Sequence, residues 1–141
     1  MPDGPIRKPV KVGVKQGGGP PPGYQWNVDI LDQAFEEAMA ILNEDQYGYI
    51  ASQVRELARH EDPTHSLTLE LRTIEDFQEL REKWGILRRL NIRVFYFLRG
   101  SDRTIVIMGV IKKENNGPTP VGDRLRMKRR KRLCEATRRN P

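Results

Sequence analysis

The chain has 141 residues, 37% hydrophobic, with 25 Lys and Arg against 19 Asp and Glu for a formal net charge of +6. That length fits one domain plus a tail, and the single cysteine, Cys134, excludes a disulfide framework and a thiolate metal site. No apolar run is long enough to span a membrane and no signal-peptide core is visible, so the expectation is a cytoplasmic protein without membrane contact, its lone thiol suited to a reducing compartment.

Residues 1–23 hold 6 Gly and 6 Pro and are predicted to be a flexible tail, mildly basic through Arg7, Lys8, Lys11 and Lys15. The domain is predicted over residues 24–137. Tyr24–Ile30 alternates and reads as a first strand, with Asp29 able to cap the helix that follows. Leu31, Ala34, Phe35, Ala38, Ile41 and Leu42 recur at helical spacing. Asn43-Glu44-Asp45 interrupts them and caps a second helix striped by Tyr47, Ile50, Val54 and Leu57, which Pro63 ends. Ser66–Leu71 is a short edge strand or an extended connection. Asp76–Arg81 fits strand and helix equally, and Lys83–Asn91 reads as a loop. Ile92–Leu98 and Thr104–Ile111 are the clearest strands; their nearly continuous apolar runs mark central strands covered on both faces. A turn-rich break follows Lys113. Asp123–Thr137 is basic and helix-compatible, with Leu125, Met127 and Leu133 as its few apolar anchors. The order β-α-α-β-β-β predicts an α+β fold: an antiparallel sheet, a helical hairpin on one face, a concave and partly open opposite face, and a basic C-terminal segment.

Charge is divided along the chain. Residues 31–79 carry 12 acidic and 3 basic side chains, residues 80–141 carry 5 and 18. A basic half points to a polyanion, nucleic acid first, with a solvated surface or an acidic protein partner as the alternatives. Arg93 opens one central strand and Lys112-Lys113 close the next. In an antiparallel hairpin these meet at one edge of the sheet, a phosphate-shaped set of three cations. Arg124–Arg132 has seven cations in nine residues, suited to RNA phosphates or to a protein partner. Phe95, Tyr96 and Phe97 are mainly core, though one of them on the open face could stack a base. The only histidines, His60 and His65, belong to the helical half, so nothing titrates near neutral pH at the proposed edge. No metal cluster, nucleotide loop or Ser/His/Asp set is present in the sequence, and no cofactor is expected.

Three motifs, in this order, are similar to those of the RelE/HigB superfamily of bacterial type II toxins, most closely a phage-derived branch. They are Glu79-Leu80-Arg81, the Arg-led aromatic strand Arg93-Val94-Phe95-Tyr96-Phe97, and Lys112-Lys113 with Thr119-Pro120 shortly after. The resemblance covers about residues 24–133. It implies a toxin that enters the ribosomal A site and cleaves messenger RNA without a metal, the RNA's own 2′-OH attacking the adjacent phosphate. It also implies a cognate antitoxin as partner. Carried over by motif, Arg93 neutralises the scissile phosphate, Lys113 stabilises charge or donates a proton, and Arg81 orients the backbone. Lys112, Arg88, Arg89, Arg124, Arg126, Lys128, Arg129 and Arg130 are the expected further RNA contacts. The chain departs from the family in having Gln78 and Glu79 where some members carry lysines, no His at the end of the last strand, and Thr119 near the place of a Tyr. A non-catalytic RNA- or ribosome-binding module, or a toxin of the same superfold acting on DNA gyrase, are the alternatives. On the leading reading, Arg93→Ala with Lys113→Ala yields a folded but inactive protein.

Overall fold

Burial on both faces makes one strand the axis of the molecule. In β4 (Leu90–Arg99), Ile92, Val94 and Tyr96 enter one core while Phe95 and Phe97 enter a second core on the other face of the sheet. The computed structural model describes residues 19–85, 90–114 and 116–139. Most of the segment expected to be a tail, together with Arg88 and Arg89, lies outside the described residues.

The other elements are β1 (Asn27–Ile30), α1 (Asp32–Ile41), α2 (Glu44–Ala58), β2 (Glu70–Ile74), β3 (Phe77–Trp84), β5 (Thr104–Lys113) and α3 (Val121–Arg139). The five strands form one sheet in the order β1-β5-β4-β3-β2. The class is α+β, but the sheet is mixed: β1 lies parallel to β5, while all other neighbours are antiparallel. β1 leads into helices rather than a hairpin turn, so no short connection forces it antiparallel.

The α1–α2 hairpin covers one face. Asn43 caps α2 as its sequence suggests: its side chain accepts from the Gln46 backbone at 2.8 Å and the Gln46 side chain returns the bond at 3.0 Å. Asp29 does not cap α1; it belongs to β1, and Leu31 takes the cap position without a side-chain bond. On the same face Glu82 is buried against α2, accepting from Tyr49 Oη at 2.8 Å and Gln53 Nε2 at 3.1 Å.

Two strand expectations shift. Residues 66–69 form a turn in which Ser66 Oγ accepts from the backbone of Thr68 and Leu69 at 3.1 and 2.9 Å, so β2 begins only at Glu70. β3 settles as a strand and runs on to Trp84, through the first residues expected to be loop. Its pleat puts Leu80, Glu82 and Trp84 toward α2 and Glu79, Arg81 and Lys83 on the opposite side.

That opposite face is not simply open. The basic C-terminal segment is a 19-residue helix lying across part of it. Met127, fully buried, packs with Phe77, Phe95, Phe97, Val106 and Met108. A bulge makes room: Phe95 pairs with Gly109 and Tyr96 with Ile107, leaving Met108 as the extra residue of β5. Gly109 supplies the rest of the space. A Cβ there would lie 2.6 Å from Met127 Sδ and 3.0 Å from Arg130 Nη1. Gly109→Ala is therefore expected to cost about 1–3 kcal/mol by overpacking, read as a lower urea midpoint. Gly122→Ala, which meets open space in α3, should instead stabilise by up to about 1 kcal/mol through helix propensity.

Candidate nucleic-acid interface

Residues directly opposite one another on neighbouring strands share a face, so the register defines the site. Arg81 of β3 pairs with Arg93 of β4, which pairs with Ile111 of β5; two residues on, Lys83 pairs with Asn91 and Asn91 with Lys113. Arg81, Arg93 and Lys113 thus stand on one face, the one that carries α3. Lys112 does not join them. It alternates to the helical-hairpin face, where its Nζ donates to the Ile41 carbonyl at the end of α1 at 2.9 Å, a favourable place for a cation on a helix C-terminus. The three-cation edge expected from the sequence therefore loses one member, because adjacent strand residues point to opposite faces.

Arg93 is fully buried. Its Nη1 donates to Thr119 Oγ1 at 3.3 Å, and its Nη2 donates to the Gly117 carbonyl. Glu79 Oε2 lies 3.9 Å from Nη1. Glu79 is equally buried and is shared: Arg81 Nε donates to its Oε1 at 2.6 Å, and the Thr119 hydroxyl donates to its Oε2. One carboxylate thus serves two guanidinium groups. Burial holds the Arg93 pKa below its ordinary value, partly offset by Glu79. In this arrangement Arg93 faces protein acceptors and is closed from solvent, so the direct phosphate contact expected of it is not in place. Arg81 is nearly closed as well, its side chain 10% exposed.

The next row differs. Lys83 and Lys113 are half-buried and flank buried Asn91. Among the described residues neither lysine has a hydrogen bond or an ion pair. Two strand spacings separate their backbones, about 10 Å, a span that two lysine stems close onto one phosphodiester or two adjacent ones. The sequence predicts a loop at Lys83, and the structure makes it part of β3; the alternation of Glu79, Arg81 and Lys83 is the signal that marks it.

The basic run of α3 is largely neutralised from within. Arg126 pairs with Asp123 at 3.0 Å and Glu37 at 3.7 Å, Lys128 with Glu75 at 2.8 Å, and Arg130 with Glu37 at 2.8 Å. Lys131 pairs with Asp76 at 3.0 Å and sits over the Phe97 ring. Its hydrogen bond holds the Asp76 carboxyl below the usual carboxylate range. Arg126, Lys128 and Arg130 are therefore tied to the acidic half of the same chain rather than held out for RNA. Arg129 and Arg132 are exposed, and Arg124 is half-buried; none of these three has a carboxylate partner among the described residues.

No aromatic of β4 is free to stack a base: Phe95, Tyr96 and Phe97 are all buried. Tyr96 instead donates to the Pro63 carbonyl at 2.5 Å, and burial pushes its phenol pKa up. His60 is held between the Glu56 carbonyl, 2.9 Å from Nδ1, and Ser66 Oγ, 2.7 Å from Nε2. Among the described residues no group of His, Cys, Asp and Glu is arranged to hold a metal ion, and no helix is long and apolar enough to cross a membrane. A cavity of about 50 Å³ between the helical hairpin and the sheet is lined mainly by apolar side chains such as Leu42, Ile50, Val54 and Val94, with Tyr47 and Arg55 as its polar members. No protein-family model matches this chain, and no curated protein matches its sequence.

Proposed function

We propose that the protein binds an RNA backbone across the Lys83–Asn91–Lys113 row and acts as a RelE/HigB-like toxin, a ribosome-dependent messenger-RNA endonuclease of the cytoplasm. The observation that carries the reading is the pair of unneutralised lysines on one sheet face, in a chain where four of the seven cations of residues 124–132 are paired with its own carboxylates. Polyanion binding needs charge that the protein has not already cancelled. An α+β sheet with a helical hairpin on one face supports the reading.

In the reaction proposed, the RNA 2′-OH gives its proton to water and its oxygen attacks the adjacent phosphorus, forming a 2′,3′-cyclic phosphate as the bond to the 5′-oxygen breaks. Lys113 and Lys83 hold the phosphate and take up the charge that grows on its non-bridging oxygens. An ammonium group also carries a proton for the departing 5′-oxygen. Arg81 and Glu79 stiffen the strands beneath. A cognate antitoxin would have the outer side of α3 available, where Val121, Leu125 and Leu133 are exposed beside Arg129 and Arg132. A second reading, a non-catalytic RNA- or ribosome-binding module, is favoured by one observation: the rows around Lys83 and Lys113 contain no histidine among the described residues.

Primer extension on messenger RNA from translating ribosomes, with purified protein added, tests the two. The expected result is new 3′ ends at A-site codons. Intact messenger with the protein still ribosome-bound would move the function to binding alone, and intact messenger without binding would remove both readings.

A further inference from the structure

Residues 116–120 lead directly into α3, and their Gly117 and Thr119 lie over the sheet face that carries the candidate site. Asn116, Pro118 and Pro120 are exposed; Thr119 is buried and Gly117 half-buried. The segment grips the sheet through the Gly117 carbonyl and the Thr119 hydroxyl, both set on the Arg93 guanidinium. From these contacts we infer that residues 116–120 are a displaceable strap, its two oxygens occupying on Arg93 the places of two oxygens of a phosphodiester. The inference rests on the RNA reading above and extends it: Arg93 is a masked anion site, opened when a backbone phosphate takes the place of the strap.

Three features of the cluster argue for an anion there. Arg93 and Arg81 share the single carboxylate of Glu79, so the buried group carries one positive charge in excess. The nearby Glu70 is engaged by Arg72 at 2.9 Å. Arg93 Nε, though buried, has no acceptor, and a buried donor left unmade is costly. The strap answers this charge with neutral groups only. A phosphate supplies both the charge and a fork of acceptors matched to a guanidinium. Withdrawal of the strap does not strand Glu79, which keeps its 2.6 Å bond from Arg81. Lys113 and Lys83 occupy the adjacent row of the same face, so a ribose-phosphate chain held by them brings its next phosphate to the strap. Pro118 and Pro120 stiffen the segment, which favours movement as a unit over local fraying.

A site closed by its own chain binds more weakly in proportion to the closed fraction. Thr119→Val removes the hydroxyl that bonds both Glu79 and Arg93, so it should tighten phosphodiester binding by roughly tenfold or more, the net worth of the two hydrogen bonds lost from the closed strap. Thr119→Ser keeps the hydroxyl and should bind as wild type does. The probe is a 2′-O-methyl oligoribonucleotide, which cannot be cleaved, titrated by fluorescence anisotropy into the full-length chain. The Arg93 Nε–H resonance, followed in parallel, should shift on saturation. Equal or weaker binding by Thr119→Val, or an unmoved Arg93 resonance at saturation, overturns the strap while leaving RNA binding intact. Absence of binding by every protein overturns the RNA reading and the strap with it. If Thr119→Val does not fold, Pro118→Gly loosens the segment at an exposed position and carries the same expectation.

Discussion

Glu79→Leu is expected to lower the unfolding free energy by about 3–5 kcal/mol, the cost of leaving a buried charge without its partner. Leucine fills a similar space and is at home in a strand, so neither packing nor propensity explains a loss of that size. The charge does. Glu79 is the only carboxylate set against both Arg81 and Arg93 among the described residues, and its Oε2 also accepts from the Thr119 hydroxyl. Without it, two guanidinium groups face each other across paired positions of β3 and β4. Glu79→Gln keeps acceptors but no charge and should fall between wild type and leucine. Urea denaturation followed by circular dichroism measures both. A Glu79→Leu midpoint equal to wild type would mean that the cluster contributes nothing beyond its volume. The same burial changes what an Arg93 substitution reports. The sequence predicts Arg93→Ala with Lys113→Ala to be folded and inactive. With Arg93 fully buried, its removal takes volume from the sheet and strips the strap of its anchor, so reduced activity reports stability along with chemistry.

The parts of the fold that the sequence made legible are those written in apolar periodicity. β4 and β5 are recognisable because both of their faces are dry, and α1 and α2 because their stripes repeat at helical spacing and Asn43 begins the second helix. What escaped is written in charge. β3 extends through Glu79, Arg81, Glu82 and Lys83, which look like a solvated stretch; Glu79 and Glu82 are satisfied by partners far away in sequence, Thr119 for one and Tyr49 and Gln53 for the other, and Arg81 by Glu79 of its own strand. Among the described residues helix α3 has one fully buried anchor, Met127, with Cys134 packed beside the same core, and is held further by the Arg130 bond to the Met108 carbonyl and by ion pairs to Glu37, Glu75 and Asp76. Hydrophobic periodicity cannot register such docking. For the same reason the division into an acidic and a basic half pointed outward, to a polyanion, when much of that complementarity closes within the chain. The candidate site was partly legible. Arg81, Arg93 and Lys113 do share a face, but alternation removes Lys112 and burial removes Arg93 from solvent, and neither can be read before the register is known.

The uncancelled charge is where function should be sought, and it makes the second large prediction. Alanine at both Lys83 and Lys113 should lower A-site cleavage by about 100-fold or more, since even the lower end of a charged hydrogen bond from each ammonium, roughly 1.5 kcal/mol, gives that factor. For single-stranded RNA the slope of log affinity against log salt should become shallower by about 1.4, roughly 0.7 for each phosphate that is no longer neutralised. Stability should move by no more than about 0.5 kcal/mol, since neither side chain has a partner to give up among the described residues. Arginine at both positions should retain the salt slope, because charge alone sets it, while cleavage falls if the proton carried by an ammonium matters. Arg129→Ala with Arg132→Ala is the necessary comparison, since these are the exposed cations of α3 among its described side chains. If that pair changes the salt slope and the lysine pair does not, RNA lies along the helix and the sheet face is not the site. If the lysine pair removes cleavage while the arginine pair leaves it intact, the face that carries Arg93 is where the backbone is held. The strap over Arg93 then becomes the next thing the RNA must displace.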